Sequence, residues 1–276
     1  MTDGITIRAL ESQADLAACV ALQRDTWGRG FADVVPASIL QVSQKVGGVT
    51  AGAFDNTGHL VGFVFGMTGI KNGEVVHWSD MLAVRPSSQN RGIGRRLKEF
   101  QRQAVAKLGA RVIYWTYDPL VARNAHLNFN VFGASAVEYV RDMYGQVTGS
   151  DLHRGIGTDR LILAWPVDVT QQEKQRRAAA VVRDSAESAA APIIGDLDRP
   201  GLPAGELVGR NARIRLAVPS DIEAMLVRDE ARAIAWREAS RKAFEASWTA
   251  GYRIDGFRFD TANAHGFYLL SRALVP

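Results

Sequence analysis

Met81-Leu82-Ala83-Val84-Arg85-Pro86-Ser87-Ser88-Gln89-Asn90-Arg91-Gly92-Ile93-Gly94-Arg95-Arg96-Leu97 is the stretch from which the rest of the chain is read. A strand-like run, Glu74–Val84, stops at Pro86; a polar loop follows, and helical spacing starts at the glycines. The first turn of a helix has free backbone N–H groups and the positive end of the helix dipole, a combination that binds phosphate. Glycine lets main chain approach oxygen atoms closely, and Arg91, Arg95 and Arg96 add fixed charge. The spacing is not the dinucleotide fingerprint, whose third glycine would fall at Leu97.

Reading outward, Ile5–Ala9 alternates like a short strand and leads into a helical pattern capped by Ser12 or Asp15 and ending near Trp27. Val49–Phe54 and Leu60–Met67 flank Asp55-Asn56-Thr57-Gly58, a strong hairpin signal. Gly92–Leu108 reads as one helix with Ile93, Leu97, Phe100, Ala104 and Leu108 on a face, closed by Gly109. Arg111–Tyr117 is a strand, Asn124–Phe132 a short helix stopped by Gly133, and Ala136–Tyr144 and Arg160–Trp165 are the last strands. This order, β-α-β-β-β-α-β-α-β-β, is an α/β sheet of mixed direction, complete by about residue 168. An Ala-rich and then Pro/Gly-rich stretch, 169–205, is expected as a linker. A smaller β-α-β-β unit is expected over 206–276, with one long helix from Pro219 to a stop at Gly251. Its opening, ARIRLAVPSDIEAM, echoes ITIRALESQADLAA, which suggests a duplicated half-domain. Its helix carries Ile222, Met225, Leu226, Ile234, Trp236, Phe244 and Trp248, a large apolar supply for about seventy residues. Those side chains need a partner surface: the N-terminal sheet, or a second copy of the chain in a homodimer.

Gln89-x-x-Gly92-x-Gly94, preceded by Leu82-Ala83-Val84-Arg85-Pro86, resembles the acyl-CoA motif of the GNAT superfamily of N-acyltransferases. The order of elements over about residues 4–145 matches as well. The resemblance implies a mixed, splayed sheet flanked by helices, with acetyl-CoA or another acyl-CoA as co-substrate. It implies that Gln89, Asn90, Arg91, Gly92, Ile93, Gly94 and Arg95 wrap the CoA pyrophosphate. It also implies that the main chain around Leu82, Ala83 and Val84 pairs with pantetheine like an added half-strand. Asn124, on the loop after the fifth strand, is the implied further cofactor contact; a helix cap is its other reading.

Acyl transfer from a thioester to an amine needs a proton acceptor, donors for the oxyanion and departure of the thiolate. Alternation places Asp80 on the face of Leu82 and Val84, and a carboxylate inside an apolar strand is costly without a partner or a task. The resemblance makes Asp80 the base that deprotonates the amine; the alternative is a strand-end carboxylate bonded to nearby main chain. Many members of the superfamily carry a tyrosine as general acid where this chain has Phe129; Tyr139, Tyr144 and His126 are the nearby substitutes. Trp27, Phe31, Trp115, Tyr117 and Tyr144 are aromatic candidates for an acceptor pocket, or core. Arg123, Arg141, Arg154 and Arg160 are candidates to hold a carboxylate, or surface charge.

Composition narrows the function class. At 276 residues with 47% hydrophobic and 22% charged residues, the chain is long enough for two cores and too rich in apolar residues for disorder. No apolar run reaches the roughly 18 residues of a membrane span, and the N-terminus has no basic segment followed by an apolar core. One cysteine, Cys19, excludes an intrachain disulfide and fits a cytoplasmic setting. A net charge of +4 suits an anionic cofactor, and no basic run interleaved with aromatics points to nucleic acid. The five histidines show no metal-ligand spacing. The expectation is a cytoplasmic acyl-CoA-dependent N-acyltransferase acting on a small amine or amino acid, without a metal. The alternatives are a non-catalytic acyl-CoA-binding regulatory module and an amino-acid N-succinyltransferase.

Overall fold

The hairpin signal is realised as β2 (Val49–Phe54) and β3 (Leu60–Lys71), paired antiparallel in the computed structural model, which describes residues 4–146, 149–150, 155–198, 207–260 and 264–272. The Asp55 carboxylate accepts from the Thr57 amide, the Thr57 hydroxyl and the His59 amide, which fixes the turn. By compactness the chain divides into two units. The first comprises residues 1–115, 148–152 and 166–168, and the second 116–147, 153–165 and 169–276.

In the first unit the strands run in the order β1 (Thr6–Ala9), β2, β3, β4 (Glu74–Val84), β5 (Val112–Tyr117). Neighbours are antiparallel except β4 and β5, and β5 runs on past the unit boundary at Trp115. The helix α1 (Gln13–Trp27) starts in a capping box: Ser12 accepts from the Asp15 amide and Asp15 accepts from the Ser12 amide. The Arg8 guanidinium beside Asp15 holds that carboxyl well below the usual range. A helix absent from the sequence reading, α2 (Ala37–Lys45), follows Pro36. Its amphipathic pattern is faint, since Ile39 and Val42 are exposed and Leu40 is the one large apolar residue of the helix that is buried. The strand pleat sends Phe63 and Phe65 toward Leu16, Cys19, Leu22 and Leu40, and turns Gly62 and Gly66 toward α3 (Ile93–Ala106). The face that α3 buries is Ile93, Leu97, Lys98, Gln101 and Val105, rotated from the expected one; Leu108 is 46% exposed.

In the second unit α4 (Ala122–Ala125) continues into a π-helical turn, His126–Phe132, where a plain helix was expected, and Gly133 ends it in the left-handed region. Next come the antiparallel pair β6 (Ser135–Val140) and β7 (Arg160–Pro166). The stretch expected as a linker holds α5 (Val169–Asp184), α6 (Ala186–Ala190) and β8 (Ile193–Ile194); residues 199–206 lie outside the described residues. A four-stranded sheet has the order β10 (Arg253–Asp260), β11 (His265–Ser271), β9 (Arg213–Pro219), β8. Pro219 ends β9 rather than starting a helix, and the expected single helix is two: α7 (Ile222–Arg228) and α8 (Glu230–Thr249). Asp229 breaks them because its carboxylate accepts from the Arg232 amide, a cap inside what reads as one continuous helical pattern. Within this unit Phe244 stacks on Tyr139, Tyr117 and Tyr268 share a hydrogen bond of 2.9 Å, and Asn130 donates to the Phe257 carbonyl. Strands β10 and β11 and helix α8 therefore pack against Tyr117, Asn130 and Tyr139 of the same unit.

Candidate functional site

The first unit brings Asp80, Leu82, Val84 and the loop to α3 into one continuous segment. In the β3–β4 ladder the Arg85 amide donates to Val61, so Arg85, Ala83 and Met81 are the hydrogen-bonded positions. The peptide groups of Leu82 and Val84 then face away from β3. On that side the parallel pairing with β5 covers only Val76–Trp78 with Val112–Tyr114. Main chain at Leu82 and Val84 is thus an edge with hydrogen-bonding capacity, whereas Ala83 is buried and engaged with Phe63. The Ala83 position is a packing position, because its peptide groups are directed to β3 and its side chain is buried.

Asp80 is the extra residue of a β-bulge: Ser79 pairs with Gly66 and Met81 with Phe65. A bulge bends its strand and re-aims one side chain. Asp80 has solvent-accessible surface, yet protein surrounding it raises its carboxyl above the usual range. Asp33 adds to the rise, and a hydrogen bond from Trp78 opposes it.

After β4, Pro86–Ser88 makes one tight turn and Ser88 is buried. Gln89, the first residue of the motif, turns its side-chain amide back to the Val84 carbonyl at 3.0 Å. Asn90 and Gly92 have positive φ, +61° and +72°, and Gly92 is the residue preceding α3. No side chain caps α3 and its first turn holds no acidic residue, so the amides of Ile93, Gly94 and Arg95 point outward from a helix start. A Cβ built on Gly94 would meet only Leu82 Cδ2, at 3.5 Å, so the protein's own packing does not require glycine there. Gln89, Asn90, Arg91, Gly92 and Arg95 are exposed. Arg96 is not part of this cluster; its guanidinium donates to the Ile5 carbonyl at 2.6 Å.

Behind the bulge lies a polar network that the sequence reading missed. Lys98 is buried, donates to Ser79 at 2.8 Å and lies 3.8 Å over the Trp115 ring; burial pulls its ammonium well below the usual range. His77 lies 3.0 Å from both Gln101 and Thr68, and burial beside Lys98 lowers it to about 4. Thr68 gives its hydroxyl proton to Gly47, so the His77 Nδ1 donates to Thr68 and Nε2 accepts from Gln101. Gly66 is obligatory here, because a Cβ would sit 2.3 Å from His77 Nε2. The available signal was the row Ile93, Leu97, Gln101, Val105, which places an amide in an apolar stripe at four-residue spacing.

The remaining candidates fall mostly in the second unit. Asn124 lies within α4, whose capping position is Val121, so it is not the cap. Phe129 is buried edge-on between Tyr117 and Tyr268. The Tyr139 hydroxyl donates to Asp159 at 2.5 Å; burial, and then that bond, raise it far above the tyrosine range and commit its proton. His126, lowered by burial, lies 3.0 Å from Asn130. Tyr144 is exposed, Trp115 is covered by Lys98, and Trp27 and Phe31 pack on the first core. Arg123 pairs with Glu223 at 2.7 Å and Arg141 with Asp142 at 3.7 Å; Arg154 lies outside the described residues. Arg160 is buried rather than a surface charge. Asp196, Asp198 and His265 gather in the second unit: His265 Nε2 is 3.4 Å from Asp196 and 3.2 Å from Asp198. The Arg232 guanidinium on Asp198 already supplies positive charge there. No helix among the described residues is long and apolar enough to cross a membrane.

Residues 16–128 match the model of the Acetyltransferase (GNAT) family. No curated protein matches the sequence. Among solved structures, the ribosomal-protein-S18-alanine N-acetyltransferase from Escherichia coli aligns at 22% identity. That alignment covers 60% of this chain and 95% of that one, with a TM-score of 0.45. The structure of yncA from Salmonella typhimurium with its cofactor acetyl-CoA aligns at 18% identity over 60% and 96% of the two chains, with a TM-score of 0.47. Arabidopsis thaliana NAA60 in complex with acetyl-CoA aligns at 16% identity over 59% and 99%, also with a TM-score of 0.47.

Proposed function

We propose that the protein is a cytoplasmic N-acyltransferase of the GNAT type that moves an acetyl or related acyl group from acyl-CoA to a small amine or amino acid. The match of residues 16–128 to the GNAT acetyltransferase family model supports this reading. The observation that carries this reading is one continuous segment in which a strand edge turned away from β3, at Leu82 and at Val84, whose carbonyl accepts from the Gln89 side chain, runs into an uncapped helix start at Gly92–Arg95. Pantetheine amides suit the first, and a pyrophosphate suits the second. A single helix terminus contributes about 0.3–2 kcal/mol, so the converging amides and the Arg91 and Arg95 charges act together. Asp80 takes the ammonium proton; its raised carboxyl makes it a stronger base than an ordinary aspartate. The freed nitrogen lone pair attacks the thioester carbonyl carbon; as the tetrahedral adduct collapses the C–S bond breaks, and the second nitrogen proton passes to the departing thiolate or to solvent. A thiol pKa of about 8.5 lets that departure proceed without a tyrosine acid.

Calorimetry of acetyl-CoA against wild type and Gly94→Val tests the assignment. Affinity should fall at least about a hundredfold, because a side chain fills the approach to the helix amides. Melting should change little, given the open space at that position. Equal affinity sinks the reading. Gly92→Val is less clean, since its +72° φ strains any other residue.

A second reading, a non-catalytic acyl-CoA sensor, is favoured by Phe129 and by the commitment of Tyr139 to Asp159. Release of free thiol from acetyl-CoA with a panel of amines separates the two.

A further inference from the structure

At its bulge, β4 exchanges the residues that it shows to α3. Before the bulge, His77 and Ser79 lie against that helix, held by Gln101 at 3.0 Å and by Lys98 at 2.8 Å. After it, Leu82 and Val84 take over the same face. A Cβ built on Gly94 of α3 would meet Leu82 Cδ2 at 3.5 Å, and one built on Gly62 would meet Val84 Cγ2 at 3.3 Å and Leu97 Cδ1 at 3.4 Å. Met81 and Ala83 belong instead to the core that contains Leu16, Cys19 and Leu22 of α1. The Asp80 carboxylate accepts a hydrogen bond from Trp78, which alternates with His77 and Ser79 and so lies on the side of β4 opposite α3. Two consecutive residues, Asp80 and Met81, are therefore turned away from α3.

Unbroken alternation would carry Asp80 to the α3 face together with Leu82 and Val84, because a slip of one residue exchanges the faces of a strand. The side chain at the turning point is Ser79, 3% exposed, and the group that holds it is the Lys98 amine. Lys98 is a poor stabiliser. It is 5% exposed, burial pulls its ammonium well below the usual range, and the Trp115 ring returns only a cation–π attraction. An apolar side chain of the same length would pack there without the desolvation penalty, whereas a buried polar pair can hold a core to one register.

We propose that Lys98 is a positioning residue: through Ser79 it pins the bulge of β4 and keeps Asp80 on the side of Trp78 and Asp33, away from α3. This rests on the reading of Asp80 as the proton acceptor, and Lys98 acts on the chemistry only through Ser79.

Lys98→Met and Ser79→Ala break the bond from either side in the full-length protein. Methionine keeps an unbranched stem without the charge, so Lys98→Met should melt at or above wild type. In both variants acetyl-CoA affinity, measured by calorimetry, should be unchanged. With the amine that wild type turns over best in a panel, kcat should fall at least about tenfold. The acid limb of kcat/KM should move to lower pH, and the Asp80 carboxyl, followed by NMR and assigned with Asp80→Asn, should titrate nearer the ordinary aspartate value. The double variant should lose no more than the worse single one, because both substitutions remove one and the same bond. An Asp80 titration equal to wild type in Lys98→Met, or in Ser79→Ala where Lys98→Met does not fold, overturns the proposal whatever happens to kcat. Losses that multiply in the double variant overturn it as well. A moved titration with kcat intact supports the clamp and removes Asp80 from the chemistry. If wild type transfers no acyl group, the acyl-transfer reading fails, and the Asp80 titration still decides whether Lys98 sets the surroundings of that side chain.

Discussion

Two regions of the chain run through the same succession of elements and build different sheets. β1-α1-α2-β2-β3 opens with ITIRALESQADLAA, and β9-α7-α8-β10-β11 opens with ARIRLAVPSDIEAM. In the first, the strand after the helices, VTAGAF, is buried along its whole length and lies between β1 and β3. In the second, the corresponding strand, RIDGFRFD, carries charges on exposed positions and stays at the sheet edge, leaving β11 to pair with β9. Similar openings and equal element order therefore do not amount to a repeated fold, and the suggested duplication is not matched by the strand order.

The same pair of regions offers two bulge aspartates. Asp80 is the extra residue of β4, which follows the first arrangement, and Asp255 is the extra residue of β10 in the second. Burial raises both carboxyls. Asp255, however, is steadied by a hydrogen bond from Ser271 and by the charge of Arg213, while Asp80 is followed by an open strand edge and a helix start. A raised carboxyl gains a chemical role from what lies next to it.

The contrast can be broken at several points. The largest effect is expected from ending the chain after Pro166, which removes the partners of Tyr117, Asn130 and Tyr139. The remainder should be insoluble or unfolded over 116–165, and a soluble, equally stable product would make the second region a separate appendage.

Asp80→Asn should lower kcat/KM by about 10²–10⁴ at neutral pH with acyl-CoA affinity unchanged, and Asp255→Asn should leave kinetics alone. Equal losses in both would erase the distinction between the two bulges. The stability sign is also fixed: a carboxyl raised in the folded state favours folding at low pH and disfavours it as pH climbs through its folded pKa. Asp80→Asn should therefore melt above wild type at pH 7 and with it at pH 3.

Phe244→Ala, on the second helix of the second region, should cost about 3–5 kcal/mol, since the ring is fully buried against Tyr139 and Tyr268. Ile39→Ala, on the second helix of the first region, should stay within about 0.5 kcal/mol because that side chain is exposed. His77 sets an acid limb: its imidazole, lowered to about 4 by burial, must charge on unfolding. The stability it confers is complete above about pH 6.5 and is lost as pH falls from there toward 4. A melting temperature flat across that window would contradict the buried neutral imidazole. The smallest effects are the caps: Ser12→Ala and Asp221→Ala should each cost about 1 kcal/mol in a chemical melt.

What the sequence by itself determined is local. The hairpin at Asp55–His59, the strand 74–84, the stop at Pro86 and the glycine-led start of α3 all follow from turn chemistry and periodicity within a dozen residues. The stretch proposed to bind acyl-CoA was legible for the same reason, since a helix start and the strand before it are neighbours in the chain. What only the tertiary structure decided depends on partners distant in sequence. The pleat that turns Ala83 inward and leaves Leu82 and Val84 on the edge is fixed by pairing with residues some twenty positions earlier. The bulge at Asp80, invisible to alternation, exists because β3 opposes two residues with one. The break at Asp229 shows a cap overriding a helical pattern. The burial of Lys98, Gln101, Arg160 and Arg237 could not be read from residue type, because a charged side chain is buried only where other parts of the chain close around it and supply its hydrogen bonds.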